Sequence, residues 1–152
     1  MPAVHPITFC AASASDGHAL AELRVESMRE SLERIGRFDP VRARERFLSA
    51  FSPEHTRHIE FNGERIGFVV VKPHSQGLLL DHLYVHPFYQ NKGVGTAVLA
   101  QVFAEADAAG LQVRVGALRG SESNRFYARH GFVQVEQGEF DNYYVRVGKN
   151  VL

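Results

Sequence analysis

The residues best suited to chemistry lie in the segment from Leu78 to Leu99. At its centre, the stretch 90–95 reads Gln-Asn-Lys-Gly-Val-Gly and directly precedes a segment with helical periodicity. Glycines let the backbone turn sharply, and they leave the N–H groups at the start of a helix open to an anion. Lys92 adds a positive charge beside these donors. The stretch therefore predicts a phosphate-binding loop between a strand and a helix.

The spacing of the glycines excludes two kinds of phosphate-binding loop. A dinucleotide-binding fingerprint needs a small residue three positions after its second glycine, where this chain has Val98. A P-loop needs a Gly-Lys pair followed by Ser or Thr, whereas Lys92 here precedes its glycine. An unrelated nucleotide-binding domain is therefore not predicted. A plain turn before a core helix remains the structural alternative.

Two polar residues, Asp81 and His82, interrupt the apolar run from Leu78 to Val85. Such a run predicts a strand that is covered on both faces. A polar side chain buried there without a partner is costly, so each residue needs a structural or a functional reason. Because side chains alternate along a strand, we expect the two to point to opposite faces.

Two motifs make the chain resemble the GNAT acetyltransferase superfamily. Gln90, Gly93 and Gly95 fit its pattern Gln/Arg-x-x-Gly-x-Gly/Ala, which follows a strand that ends in Val-x-Pro, here at residues 85–87. The stretch 126–132 is similar to its Phe-Tyr-x-x-x-Gly-Phe signature. The resemblance covers nearly the whole chain and implies binding of acetyl-CoA, whose pyrophosphate would lie on the glycine loop.

The resemblance also implies roles for individual residues. Tyr127 matches the tyrosine that often protonates the departing CoA thiolate, although packing alone is an alternative role. Asp81 is the preferred general base and His82 the second choice, with an ion pair or a hydrogen bond as the structural alternative. A backbone N–H near Val85 could stabilise the oxyanion. Many members have Asn seven residues before the tyrosine, where this chain has Gly120. The implied acetyl-CoA contacts are Leu83, Val85, Gln90, Asn91, Lys92, Gly93, Val94, Gly95, Thr96 and Asn124.

Periodicity and turn signals predict the elements that position these residues. The predicted strands are 7–11, 55–61, 65–72, 78–85, 111–115, 132–135 and 143–147. The predicted helices begin near Asp16, Pro40, Val94 and Ser121 or Ser123, with Asp16 and Asp39 as N-caps. This is the GNAT order. It implies one α/β (α+β) domain over residues 1–152, with a mixed, mostly antiparallel twisted sheet of about seven strands and about four helices. The sheet would be splayed between strands 4 and 5.

Composition and charge limit the expected partners. The 152 residues are 45% hydrophobic and 22% charged, with zero net charge, so neither nucleic acid nor a membrane surface is an expected partner. No secretory signal or membrane-spanning run is recognisable, and we expect a cytoplasmic protein. The single cysteine, Cys10, cannot form an internal disulfide. The histidine spacings do not predict a metal site.

The sequence thus predicts an acetyl-CoA-dependent N-acetyltransferase that acts on a primary amine of a small molecule or peptide, with a homodimer compatible with the resemblance. The alternative is a GNAT-fold module that binds acyl-CoA without catalysis. Arg29 and Glu33 lie one turn apart on the first predicted helix. They are either an exposed ion pair or contacts to the amine and carboxylate of an acceptor.

Overall fold

The computed structural model describes residues 7–75 and 77–148, which form one sheet with helices on both faces. The strands are β1 Ile7–Ala11, β2 Thr56–Phe61, β3 Glu64–His74, β4 Gly77–Val85, β5 Gln112–Leu118, β6 Val133–Gln137 and β7 Asp141–Arg146. The helices are α1 Gly17–Arg34, α2 Pro40–Ala50, α3 Val94–Ala109 and α4 Ser123–Arg129. The predicted order of elements is confirmed.

The sheet is mixed and mostly antiparallel, as predicted. Its strand order is β1-β2-β3-β4-β5-β7-β6. Among the strands of the described residues, β4 and β5 pair in parallel, and the other five pairs are antiparallel. The open edge between β4 and β5, described below, agrees with the predicted splay.

Local turn chemistry accounts for several element boundaries. The Asp39 side chain accepts a hydrogen bond from the Arg42 N–H at 3.1 Å and so caps α2, as predicted. Asn62 and Gly63 both have positive φ, at 52° and 80°, in the hairpin turn between β2 and β3.

The predicted cap of α1 is wrong in one respect. Asp16 occupies the N-cap position, but its carboxylate does not bind the helix N–H groups. It accepts hydrogen bonds from the Ser13 N–H and from His58 Nε2, each at 2.9 Å. Because this histidine comes from β2, a tertiary contact displaces the local one.

The two faces of the sheet have separate hydrophobic clusters. On one face α3 and α4 cover a large cluster that includes Leu80, Val98 and Val115. On the other face α1 and α2 cover a smaller cluster around Phe47 and Phe68. The side chains of β4 therefore divide between two different environments.

A β-bulge at Asp81 overturns the predicted alternation along β4. Val70 pairs with His82 but Val71 pairs with Leu80, so Asp81 is the extra residue in the β3–β4 ladder. Leu80 and Leu83 consequently pack toward the same cluster. In a regular strand, two residues three positions apart would lie on opposite faces of the sheet. Asp81 and His82 point to one side of the sheet rather than to opposite sides.

Within the described ranges, no helix is long and apolar enough to cross a membrane.

Candidate active site

The sheet opens where β4 and β5 diverge. Their parallel pairing runs only from Gly77 with Gln112 to Leu80 with Val115. Beyond that point β5 continues to pair with β7, whereas the β5-facing edge of β4 pairs with no strand formed by residues 7–75 or 77–148. A free strand edge presents backbone donors and acceptors to any ligand that lies along it. The bulge at Asp81 coincides with the start of this opening.

The glycine loop lies at the C-terminal end of β4 and leads directly into α3. Asn91 and Gly93 adopt left-handed conformations, with φ of 62° and 84°, and Gly93 is the N-cap residue of α3. The first backbone N–H groups of a helix have no partner within it and attract anions. The loop is anchored to β4 because the Gln90 side chain donates a hydrogen bond to the Val85 carbonyl at 2.7 Å. This geometry suits a phosphate.

A cavity of about 430 Å³ joins the loop, the open edge of β4 and α4. Its lining includes seven of the ten predicted acetyl-CoA contacts and also Tyr127. Those seven are Leu83, Val85, Gln90, Asn91, Gly93, Gly95 and Thr96. The remaining lining residues all come from the start of α4 or its body: Glu122, Ser123, Phe126 and Arg129. Sequence reasoning did not select these four for ligand contact, although their closeness to Tyr127 in the second motif was a usable signal.

Three predicted contacts do not line this cavity through their side chains. Val94 is buried in the core beneath α3. The ammonium of Lys92 lies 5.0 Å from the centre of the exposed Phe88 ring. Asn124 is the hub of a hydrogen-bond network. Its Nδ2 donates to the carbonyls of Leu118 and Ser121 and to the Ser121 hydroxyl, and its Oδ1 accepts from Asn142 and Tyr144. Asn124 therefore fixes α4 to β5 and β7.

Contacts between α3 and α4 hold the two walls of the cavity together. The His130 Nδ1 lies 2.8 Å from the Phe126 carbonyl, so this nitrogen is the protonated one. Nε2 of a neutral His130 then accepts a hydrogen bond from the Thr96 hydroxyl at 2.9 Å. A Cβ atom on Gly95 would lie 3.0 Å from Phe126 Cζ, so a larger residue requires the Phe126 ring to shift.

Tyr127 reaches the cavity from α4 with its hydroxyl unengaged. The ring packs against Phe126 and Phe132, with centroids 5.4 and 5.3 Å away, and the residue is only 7% exposed. Among residues 7–75 and 77–148, its hydroxyl has no hydrogen-bond partner. Burial raises the pKa of this phenol to about 12, against a smaller opposing effect of Arg24. Tyr127 is therefore a protonated donor throughout the physiological pH range.

Asp81 forms an ion pair with Lys72, whose ammonium lies 3.2 Å from Oδ2 and also donates to the Ala50 carbonyl. His82 lies beside it, with Nε2 3.7 Å from the same carboxylate oxygen. Burial first, and the positive charges of Arg24 and Lys72 next, lower the pKa of His82 to about 3. The imidazole is therefore neutral at pH 7. Its buried Nδ1 has no hydrogen-bond partner within the described part of the chain.

Arg24 is a charged residue near this site that the sequence analysis did not select. It follows the fully buried Leu20 and Ala21 by four and three positions, so it shares their face of α1. It interacts electrostatically with Tyr127, Asp81 and Asp141. Its helical spacing from Leu20 and Ala21 was the signal that could have selected it.

Arg29 and Glu33 are an exposed pair. Arg29 contacts Glu26 at 3.2 Å and Glu33 at 3.5 Å, and the three side chains are 45%, 67% and 54% exposed. Its guanidinium also lies over the Phe38 ring. Of the two alternatives left open by the sequence, these contacts agree with a solvated surface pair.

Residues 53–134 match the family model described as an acetyltransferase (GNAT) domain. The match includes β4, the glycine loop and α4. The chain belongs to the GNAT acetyltransferase family.

Solved structures of similar fold agree with this GNAT assignment. The PaiA N-acetyltransferase of Thermoplasma acidophilum, in complex with coenzyme A, is 19% identical with a TM-score of 0.75, over 93% of this chain and 99% of that one. An acetyltransferase from Thermus thermophilus is 18% identical with a TM-score of 0.70, over 93% and 96%. A GNAT acetyltransferase from Elizabethkingia anophelis with acetyl-CoA bound is 18% identical with a TM-score of 0.54, over 60% and 74%. At these identities the similarity establishes the fold. No curated protein sequence matches the chain.

Within the described ranges, no group of three or more His, Cys, Asp or Glu side chains is arranged to hold a metal ion.

Proposed function

We propose that this GNAT protein transfers an acetyl group from acetyl-CoA directly to a primary amine. One observation supports this most strongly: the glycine loop, the open edge of β4 and Tyr127, whose hydroxyl has no hydrogen-bond partner among the described residues, all line one cavity. A phosphate site alone would need only the loop. The cavity adds a place for an extended ligand arm and, in Tyr127, a proton donor.

In this proposal the first N–H groups of α3 bind the pyrophosphate of acetyl-CoA. The left-handed turn at Gly93 aims these donors at the cavity, and the helix dipole adds to their attraction for an anion. Arg129, on the opposite wall, supplies a positive charge. Asn91 and Thr96 line the same end of the cavity.

The open edge of β4 binds the pantetheine arm in this proposal. Leu83 and Val85 line the cavity from this edge, and their backbone groups lie beyond the last pair with β5. An extended ligand with amide groups can bind there as an added strand does. A backbone N–H of β4 would then stabilise the oxygen that becomes negative as the acceptor nitrogen attacks the thioester carbon.

Tyr127 is the proposed general acid. As the carbon–sulfur bond breaks, its hydroxyl gives a proton to the sulfur, and the products are the N-acetylated amine and the free thiol of CoA. The attacking nitrogen loses one proton in the same reaction, which restores the phenol directly or through water. The pKa of about 12 keeps Tyr127 protonated until the thiolate forms.

Asp81 is the proposed acceptor of the proton that an ammonium must lose before it attacks. It is a carboxylate at the bulge where the sheet opens, and it is partly accessible, with 31% of its side chain exposed. His82 is the weaker candidate because its side chain is only 19% exposed, against 31% for Asp81, and its Nδ1 is buried. The proton would pass from the amine to Asp81 directly or through water.

A panel of amines with acetyl-CoA as donor tests the proposal, with release of the CoA thiol as the readout. We expect turnover with at least one primary amine and formation of its N-acetyl product. Saturable binding of coenzyme A without turnover on any amine would instead support an acyl-CoA-binding module. Weak binding of coenzyme A would contradict both functions.

A further inference from the structure

Arg24 has an unusual environment for a cation on the inner face of a helix. It is half-buried on the face of α1 that packs toward β4. In the described part of the chain, no carboxylate lies within ion-pair distance of its guanidinium. Arginine stays protonated in proteins, and a charge removed from water normally has a partner. The folded protein therefore places a positive charge at this position, and none of the described residues forms its counter-ion.

Other arginines on α1, or in contact with it, do have such partners. Arg29 contacts Glu26 and Glu33, Arg34 contacts Glu30 at 2.9 Å, and Arg44 of α2 contacts Glu22. All of these carboxylates are more than half exposed. Within α1, the exposed Arg29 and Arg34 are thus paired, whereas the half-buried Arg24 has no ion pair with any described residue. If Arg24 had only a structural role, we would expect the half-buried arginine to be the one with an internal counter-ion.

The surroundings of Arg24 are those of an acceptor site rather than of the pyrophosphate site. Tyr127, Asp81, His82 and Asp141 are the groups with which it interacts electrostatically. Tyr127 lines the cavity and is the proposed proton donor to the CoA sulfur. Asp81 already has Lys72 as its partner. Asp141 is half-buried at the start of β7 and has no ion pair among the residues described.

We propose that Arg24 binds a carboxylate of the acceptor, so that the acceptor is an amine with a carboxylate in the same molecule, as in an amino acid. This inference rests on the proposed N-acetyltransferase function. Guanidinium and carboxylate form two parallel charge-assisted hydrogen bonds, which orient as well as attract the ligand. Asp81 and Asp141 provide negative charge for the amine at the other end. A site with both positive and negative side chains suits an acceptor that carries both a carboxylate and an ammonium group.

The test compares acceptors that differ only in the carboxylate. A set of free amino acids is assayed beside the corresponding α-amides, with wild type, Arg24→Gln, Arg24→Lys and the control Arg34→Gln. Arg34 lies on the same helix, but it is 54% exposed and paired with Glu30. Conversion to the amide leaves more of the amine neutral at pH 7, so a wild-type preference for the acid would run against the intrinsic reactivity.

We expect Arg24→Gln to lower kcat/KM for the acids by about 10- to 100-fold, mainly through KM, and to leave the amides almost unchanged. Arg24→Lys should lose less, because it keeps the charge but not the paired geometry. The KM for acetyl-CoA should not change in either variant, and Arg34→Gln should behave as wild type. The melting temperature of Arg24→Gln should equal or exceed that of wild type, because no internal partner is lost.

Three results would contradict the inference in distinguishable ways. An equal loss of kcat on acids and amides would assign Arg24 to the thiolate or the oxyanion. Wild-type activity on amines without preference for a carboxylate would overturn the inference but keep the proposed function. A wild-type protein without activity on any amine would overturn the proposed function, and the inference with it.

Discussion

Tyr127→Phe separates the chemical role of this residue from its packing role, because it removes one hydroxyl and keeps the ring. The contacts with Phe126 and Phe132 should remain, and no hydrogen bond to the described residues is lost. If the phenol protonates the CoA thiolate, kcat should fall by about 10²- to 10⁴-fold. This corresponds to a barrier higher by about 3–5 kcal/mol. The Kd of coenzyme A should change little.

The same substitution has a second, independent signature in alkaline solution. The Tyr127 phenol has its pKa raised from 10.0 to about 12 in the folded protein. Between these two values the unfolded chain releases a proton that the folded chain keeps. The raised pKa therefore adds nothing to the pH dependence below pH 10, and stability falls from pH 10 to 12. Two pKa units correspond to about 3 kcal/mol of unfolding free energy, which wild type should lose over this range and Tyr127→Phe should not.

The measurements are CoA thiol release under saturating donor, and urea unfolding at several pH values between 8 and about 12. Tyr143→Phe is the matched control, because Tyr143 lies on β7 outside the cavity lining. A Tyr127→Phe variant with wild-type kcat would refute the role of general acid. An unfolding free energy that falls equally in wild type and variant would refute the burial argument for the pKa.

The remaining predictions concern the loop, the bulge and the Asn124 network. Gly95→Val places a side chain against Phe126 Cζ, 3.0 Å from the Cβ position. The affinity for coenzyme A measured by calorimetry should fall more than about 10-fold, and unchanged affinity in a folded variant would reject the phosphate-loop assignment. His82 has its pKa lowered from 6.5 to about 3. Wild-type stability should therefore fall as the pH drops through this interval, by an amount on the order of 3–5 kcal/mol that His82→Gln removes. Parallel acid-unfolding curves for the two proteins would contradict this. Asn124→Ala breaks the network that joins α4 to β5 and β7. It should cost about 1–3 kcal/mol in urea unfolding, whereas a purely ligand-binding role predicts unchanged stability.

The sequence predicts the fold well where its signals are local. Glycine and asparagine at left-handed positions, the Asp39 cap and the apolar period of α3 act over a few residues. Element bounds agree to within two residues except at the end of β5. Strand β7 begins at Asp141 rather than Tyr143, and β5 extends to Leu118. The polar start of β7 gives no strand signal, and only its pairing with β5 makes it one.

The candidate site is predictable only in part, because some of its residues are brought together by contacts between distant elements. The glycine loop and Tyr127 lie in contiguous motifs, so their positions in the sequence are enough to select them. The direction of Asp81 and His82 depends instead on a bulge, which arises from the register between β3 and β4. The environment of Arg24 depends on the packing of α1 against β4. Arg29 and Arg34 on the same helix form ion pairs with exposed glutamates instead.

The sequence by itself thus determined the order of the elements, the glycine loop at the start of α3 and the family to which the chain belongs. These depend on interactions between residues that are near one another along the chain. The tertiary structure decided which charges meet at the open edge of the sheet. Asp81 pairs with Lys72, Asn124 becomes a structural hub, and Arg24 has no ion pair within residues 7–75 and 77–148. Such pairings join residues from distant elements, and no local pattern specifies them.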